Sequence, residues 1–341
     1  MLLNIQLDAA PVGAAARARQ LGSAGAAGLF TFEGQHDVFL PLALAAGESD
    51  LDLMTNVAIA PPRSPVHLAH LAYDLQHLSQ GRFSLGLGSQ VRAHIVNRYG
   101  ANWTKPAAQM RECVLAVKAI LQSWQSGAAL DFRGEYTRHT LMPPQFTPPP
   151  NPYGIPPVLM GALGPVMTRT AAEVADGLLV MPFHSTRHFE QRTLPAVAEG
   201  LDRSGRKRAD FEIVPQVIVA VGRCAAELDQ ADAGARQLLA FYASTPAYAP
   251  VLEVEGWADL QPRLNALAKA GAFDAMAELI TPEMVDVLSV RGTPESCAGQ
   301  ILHRFGPHAR RVCAYFPGYD VNLRHVRDMS EALHYAAEPA A

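Results

Sequence analysis

Apolar residues along this chain recur with two alternating periods, and the expected elements follow from where the period changes. Residues 2–7 alternate well enough to predict a strand, residues 14–24, rich in Ala, Arg, Gln and Leu, predict a helix, and residues 28–32 predict a second strand ending in Glu33-Gly34-Gln35-His36-Asp37. After Pro41 a short Ala-rich helix covers 42–46, and residues 51–60 predict a third strand interrupted by Thr55-Asn56. Pro65 opens a helix whose Leu68, Leu71, Leu75 and Leu78, three and four apart, predict a buried stripe that Gly81 ends as a C-cap. Residues 82–88 then form a short apolar strand that opens into Gly88-Ser89-Gln90, with Arg92 and His94 behind.

The alternation continues. A helix follows Pro106 with Met110, Val114, Val117, Leu121 and Trp124 on its buried face. Residues 125–155 change character, because Pro143, Pro144, Pro148, Pro149, Pro150 and Pro152 break any regular element, and an insertion is expected there. Order returns with a strand over 157–160, the Gly161-Ala162-Leu163-Gly164-Pro165 turn, a helix over 166–175 and a strand over 178–181. A helix over 187–204 leads to a β-branched strand over 211–221, and a second insertion of about 245–289 precedes a helix ending at Phe305 and a closing strand over 312–316. Thr281-Pro282-Glu283 and Thr293-Pro294-Glu295 read as helix starts, an N-cap followed by Pro. Eight strand-helix units predict one domain over 1–341, a (β/α)8 barrel with insertions at about 125–155 and 245–289.

Composition narrows what such a barrel does. A net charge of −4 with no long Lys or Arg run argues against nucleic acid as a partner. No apolar run is long enough for a membrane span, and Met1-Leu2-Leu3-Asn4 enters a strand without a basic region or cleavage site, so no membrane association and a cytoplasmic location are expected. Cys113, Cys224, Cys297 and Cys313 are scattered without ligand spacing and are read as buried thiols.

In a parallel barrel the ligand-binding loops follow the carboxyl ends of the strands. Gly88, Ser89 and Gln90 therefore read as the floor of a site, and His36-Asp37 lies at the same end. Gly161, Ala162, Leu163 and Gly164 put a flexible loop at a helix amino end, where unpaired N–H groups favour a phosphate, although an ordinary strand-helix connection would look the same. Thr168 and Arg169 are near enough to assist. His67, His70, Asp74 and His77 recur at helical spacing and His184 and His188 are four apart, but the first set flanks the leucine stripe and the second lacks an obvious acid, so no metal is expected.

Leu78-Ser79-x-Gly81-Arg82-Phe83-x-Leu85-Gly86-x-Gly88-Ser89, His36-Asp37, Met110-Arg111-Glu112, Pro156-Pro157 before Gly161-Ala162-Leu163-Gly164, and Ala171-Ala172-x-x-Ala175-Asp176-Gly177, in this order, resemble the luciferase-like monooxygenase superfamily. The resemblance covers most of the chain and implies the bacterial luciferase-like TIM barrel. The run Gly88 to His94, followed by Trp103, is similar to the branch that uses the deazaflavin coenzyme F420. That likeness implies an oxidoreductase moving a hydride between coenzyme F420 and a small organic substrate, with His36 as acid or base and Asp37 holding the ring or tuning His36. It also implies cofactor contacts from Asn56, Gly88, Ser89, Gln90, Arg92, His94 and the 161–164 loop, and Arg63, Arg92 and Arg98 are candidates for the acidic tail. Branches that use FMN share the scaffold, so an FMN-dependent monooxygenase and a non-catalytic flavin-binding module are the alternatives. Aromatic residues of the insertions, Phe132, Tyr136, Phe146, Tyr153, Tyr248 and Trp257, favour an apolar substrate, and a homodimer is expected through residues 141–157 and the helix from Pro65.

Overall fold

The computed structural model describes residues 1–7 and 10–335 and contains every strand that the alternation predicts. In chain order the strands are β1 (Leu2–Gln6), β2 (Gly28–Thr31), β3 (Asp52–Thr55), β4 (Ala58–Ile59), β5 (Phe83–Gly88), β6 (Phe132–Arg133), β7 (Arg138–His139), β8 (Val158–Ala162), β9 (Gly177–Val180), β10 (Glu212–Val221), β11 (Val290–Gly292) and β12 (Arg311–Tyr315). Parallel pairing in the order β1-β2-β3-β5-β8-β9-β10-β12 closes back onto β1, which makes an eight-stranded (β/α)8 TIM barrel. β4 continues the line of β3 and pairs with β5, β11 adds to β10, and β6 and β7 form a separate antiparallel hairpin.

The two-residue period of each strand divides the core. On β1, Leu3 and Ile5, with Leu7 just beyond, join the apolar layer between barrel and helices, leaving Asn4 and Gln6 for the other face. The barrel interior is a small cluster of Phe30, Met54, Leu159, Leu179, Val214 and Cys313. Helices α1 (Pro11–Ser23), α2 (Leu40–Ala46), α3 (Pro65–Leu78), α4 (Arg92–Asn97), α5 (Pro106–Ser126) and α6 (Pro165–Val174) belong to the first half of the ring.

One face is rotated from the expectation. On α3, Leu68 and Leu75 are buried, but Leu71 and Leu78 are exposed, and Ala69, Ala72, Tyr73 and Gln76 complete the buried side. Hydrogen bonding explains the choice of polar residues there. The Tyr73 hydroxyl donates to Gln125 Oε1 at 2.9 Å and accepts from Asn151 N–H at 2.7 Å, while Gln76 Oε1 accepts from Phe83 N–H at 3.2 Å. These contacts pin the proline-rich segment to the barrel. Outside the insertions three helices were not expected: α4, the helix Ala225–Ala243, Ala-rich with a weak apolar period, and Leu323–Tyr335, which buries Val326, Met329 and Leu333.

At the mouth, the chain between β3 and β4 presses on its neighbours. The Asn56–Val57 peptide is cis. Thr55 Oγ1 donates to the Gly86 carbonyl at 2.8 Å and accepts from Gly86 N–H at 2.9 Å, and a Cβ on Gly86 would lie 1.9 Å from the Thr55 carbonyl oxygen. A Cβ on Gly88 or Gly161 would meet the Val57 side chain at 2.4 Å and 2.9 Å. These glycines are therefore required for close approach of backbone and side chain. Gly164 is different, because nothing lies within 4 Å of the position its Cβ would take. Gly86→Ala should accordingly lower stability by about 1–3 kcal/mol through overpacking, and Gly164→Ala should leave it unchanged. Urea denaturation of both variants checks this, and equal midpoints would contradict the packing argument.

Candidate active site

Loops from β2, β4 and β5 meet over the barrel and are tied by charge. Arg63 Nη1 and Nη2 donate to both Glu33 carboxylate oxygens at 2.8 Å, and the Ile59 N–H donates to the same carboxylate at 3.1 Å. A bidentate pair with a nearly buried carboxylate is strong and directional, and removing one partner would strand the other charge. Phe39 underlies the guanidinium at 5.8 Å. Arg98 Nη2 reaches back from the β5 side to the Gly34 carbonyl at 2.8 Å, and burial together with the Glu33 charge pushes the Tyr99 phenol up. Of the three arginines offered for an acidic tail, Arg63 and Arg98 thus already hold loops together, and Arg92 is exposed at the start of α4.

The structure places His36 and Asp37 on the exposed loop before α2. Asp37 Oδ1 accepts from the Phe39 and Leu40 N–H groups at 2.8 and 2.9 Å, so the carboxylate fastens the start of α2. After β5, Gln90 takes a left-handed conformation with φ 58°, its Oε1 accepts from Val91 N–H at 3.0 Å, and the Ser89 hydroxyl donates to the Gln90 carbonyl at 3.1 Å. His94 is half-buried one turn further on. These side chains shape their own turn, and the glycine before them admits Val57.

Gly161, Ala162 and Leu163 lead out of β8 into Gly164, the N-cap of α6. No side chain caps this helix, so the Val166 and Met167 N–H groups have no intrahelical or capping partner, and the space beside Gly164 is open. A cavity of about 540 Å³ lies there, lined by Lys105, Pro106, Gly164, Pro165, Val166 and Met167 among others. Thr168 is fully buried in α6 with its Oγ1 unpaired, and Arg169 is paired with Glu199 at 2.8 Å, so Arg169 is not a free ligand group. Another cavity, of about 360 Å³, lies between α1 and the Leu323–Tyr335 helix and borders none of the candidate residues.

Two buried amides lack partners at the strand ends. Asn56 is 6% exposed with Nδ2 unpaired, beside the Cys313 thiol, and Gln6 is 8% exposed with Oε1 unpaired. Leaving such groups unsatisfied costs about 1–3 kcal/mol each, which is the usual mark of a site completed by something else. His184 and His188 are enclosed rather than poised. His184 Nδ1 lies 2.7 Å from the Met181 carbonyl oxygen and its ring packs on Phe189 and Phe305, and burial lowers both imidazoles to about 4. Among the described residues no group of three or more His, Cys, Asp or Glu is arranged to hold a metal. Burial pushes the Cys297 and Cys313 thiols up to about 12, whereas Cys224, read as buried from sequence, is exposed at the start of the Ala225–Ala243 helix.

This geometry has known counterparts. The family profile described as luciferase-like monooxygenase matches residues 6–310. The chain belongs to that family. An uncharacterized protein of Mycobacterium tuberculosis is 46% identical over 290 residues, 85% of each chain. A 5,10-methylenetetrahydromethanopterin reductase of Archaeoglobus fulgidus is 30% identical over 244 residues, covering 70% of this chain and 68% of the relative. In fold, the chain resembles the coenzyme F420-dependent tetrahydromethanopterin reductase of Methanopyrus kandleri with a TM-score of 0.80 at 20% identity, covering 98% of both chains.

Gln6 and Val57 escaped the reading of this family member's sequence because neither belongs to a motif. The inward position of Gln6 follows from the alternation of β1, so its signal was present; the role of Val57 depends on glycines about 30 and 100 residues away. The buried histidines give a pH prediction. Unfolded imidazoles titrate near 6.5, so between about 6.5 and 4 the unfolded chain binds more protons than the folded one, and stability falls as pH drops through that window. Urea midpoints taken from pH 7 to 4.5 should fall, and less steeply in His188→Gln; identical slopes for the two proteins would remove His188 from this account.

Proposed function

We propose that the protein is an oxidoreductase that transfers a hydride between the deazaflavin coenzyme F420 and a small apolar organic molecule. The observation that carries this reading is the pairing of an open, uncapped amino end of α6 at Gly164 with unpaired buried amides at Gln6 and Asn56. The first fits a phosphate through the Val166 and Met167 N–H groups, with Lys105 on the cavity wall, and the second fits a polar heterocycle. The name of the Methanopyrus reductase supports the choice, and the run Gly88 to His94 resembles the deazaflavin-using branch. A deazaflavin carries a hydride and, with carbon in place of the reactive flavin nitrogen, reacts poorly with oxygen.

The chain's own residues then have distinct tasks. Val57, wedged against Gly88 and Gly161, gives a rigid floor; Asn56 donates from Nδ2; Ser89 and Gln90 fix the turn that bounds the floor; and Ala162 to Gly164 bring the backbone N–H groups to the phosphate. Arg92 and His94, on α4 behind that turn, serve the acidic tail. His36 moves a proton at an imidazole nitrogen, and Asp37, which fastens α2, positions it. Exposed Leu71, Leu78, Leu141, Phe146 and Tyr153 supply the apolar surface on which two copies pair, in the cytoplasm.

Purified protein should bind coenzyme F420 more tightly than FMN in a fluorescence titration, with part of the preference fading at high salt as exposed contacts are screened over about 8 Å. Gly164→Asp should weaken binding about tenfold by setting a carboxylate at the phosphate, and His36→Ala should spare binding while slowing hydride transfer about a hundredfold. Tighter FMN binding with oxygen consumption would move the enzyme to the monooxygenases, and cofactor binding without turnover of alcohols, aldehydes or enones would make it a binding module. Light scattering at micromolar concentration should give a dimer mass; a monomer mass would refute the pairing.

A further inference from the structure

The first helix of the ring and the Leu323–Tyr335 helix meet along a seam outside the barrel. Ser330 Oγ donates to the Gly25 carbonyl at 2.6 Å, which pins the second half of the later helix to the chain just past α1. Nearer the start of that helix, a cavity of about 360 Å³ lies between the two. One stripe of each helix walls it. On α1 the stripe runs from Ala16 through Arg19, Gln20 and Ser23 to Ala24, at the three- and four-residue spacing of one helix face, and Leu323 and Arg327 supply the other wall.

Every charged residue of this lining is a cation. Arg19 is held by Glu48 at 2.5 Å, in an exposed pair that water weakens. Arg327 has no side-chain hydrogen bond or ion pair among the described residues. The acids of its own helix do not supply one, since Asp328 is engaged by Arg223 at 2.6 Å and Glu331 makes no ion pair. Arg17 and Arg324, on the same two helices, also lack an acid partner among the described residues, so the field over the seam is positive. The exposed amide of Gln20 and hydroxyl of Ser23 add neutral donors. Ala16 and Ala24 are small enough to leave room, and with Leu323 they make an apolar shoulder beside the two guanidinium groups.

A lone guanidinium on an exposed helix is ordinarily hydrated. This one shares a concave space with a second guanidinium, two neutral donors and an apolar wall, which together suit an anion with a small carbon body. Charge decides between the oxyanions. A carboxylate reaching Arg19 exchanges with Glu48 one charge for one, whereas a phosphate monoester brings roughly two charges and three acceptor oxygens at neutral pH.

We propose that the cleft between α1 and the Leu323–Tyr335 helix binds a small organic phosphate monoester, with its phosphate on Arg327 and Arg19 and its carbon body on Ala16, Ala24 and Leu323. The site lies outside the barrel and does not rest on the hydride-transfer reading.

The probe is phenyl phosphate, with inorganic phosphate and phenol as its two halves, titrated by calorimetry at fixed ionic strength into the full-length Gly164→Asp protein. That substitution closes the amino end of α6 to phosphate, so the two sites are read apart. Phenyl phosphate should bind saturably, and each half about fivefold or more weaker. Added to that background, Arg327→Gln should weaken phenyl phosphate about tenfold, the value of one charge-assisted hydrogen bond, while Arg324→Gln, outside the lining, should change it about twofold at most. Glu48→Gln should tighten it about threefold by releasing Arg19. All three side chains are exposed, so the variants should fold normally. Absence of saturable binding, equal losses in the two arginine variants, or weaker binding in Glu48→Gln would overturn the site. Inorganic phosphate binding as tightly as phenyl phosphate would overturn the organic ligand. Failure of the wild-type protein to bind coenzyme F420 would bear on the barrel mouth alone and leave this site standing.

Discussion

Val57 sits against two backbones that have no side chain to resist it, Gly88 on β5 and Gly161 on β8, while the carbonyl of Thr55 occupies the place a Cβ on Gly86 would need. Everything at the mouth depends on that close approach. It fixes where β5 ends, and so where Ser89 and Gln90 turn; it fixes β8 against the same wedge, and so where Gly164 starts α6. A branched apolar side chain seated against two glycines is also a rigid surface, which suits a planar ring.

The charged groups around this floor are spent mainly on architecture. Glu33 and Arg63 join the loop after β2 to the end of β4, and Arg98 ties the next loop to Gly34, so three strand ends behave as one rim. What is left beside them includes the unpaired amides of Gln6 and Asn56 and the free N–H groups at the start of α6. Under the proposed function, the cofactor would supply the chemistry and the protein position.

The barrel was legible from the sequence because short apolar runs separated by helical stripes recur along it, and the interruption at Thr55-Asn56 marks the break between β3 and β4. The buried face of α3 was misjudged because Tyr73 and Gln76 are buried to hold a segment whose packing no periodicity reveals. For the candidate residues, the motif around Gly88 drew attention to the end of β5, while the reason for its glycine lies in a contact with Val57. The arginines could not be sorted by sequence, since only the fold shows that Arg63 meets Glu33.

A crystal structure of the protein with oxidised coenzyme F420 tests the central claim most directly. The account predicts the deazaflavin ring on Val57, a polar ring edge at Asn56, and the phosphate within hydrogen-bond distance of the Val166 and Met167 N–H groups. Cofactor density elsewhere, such as in the cavity between α1 and the Leu323–Tyr335 helix, or a ring held away from Val57 with the α6 amino end vacant, would contradict it.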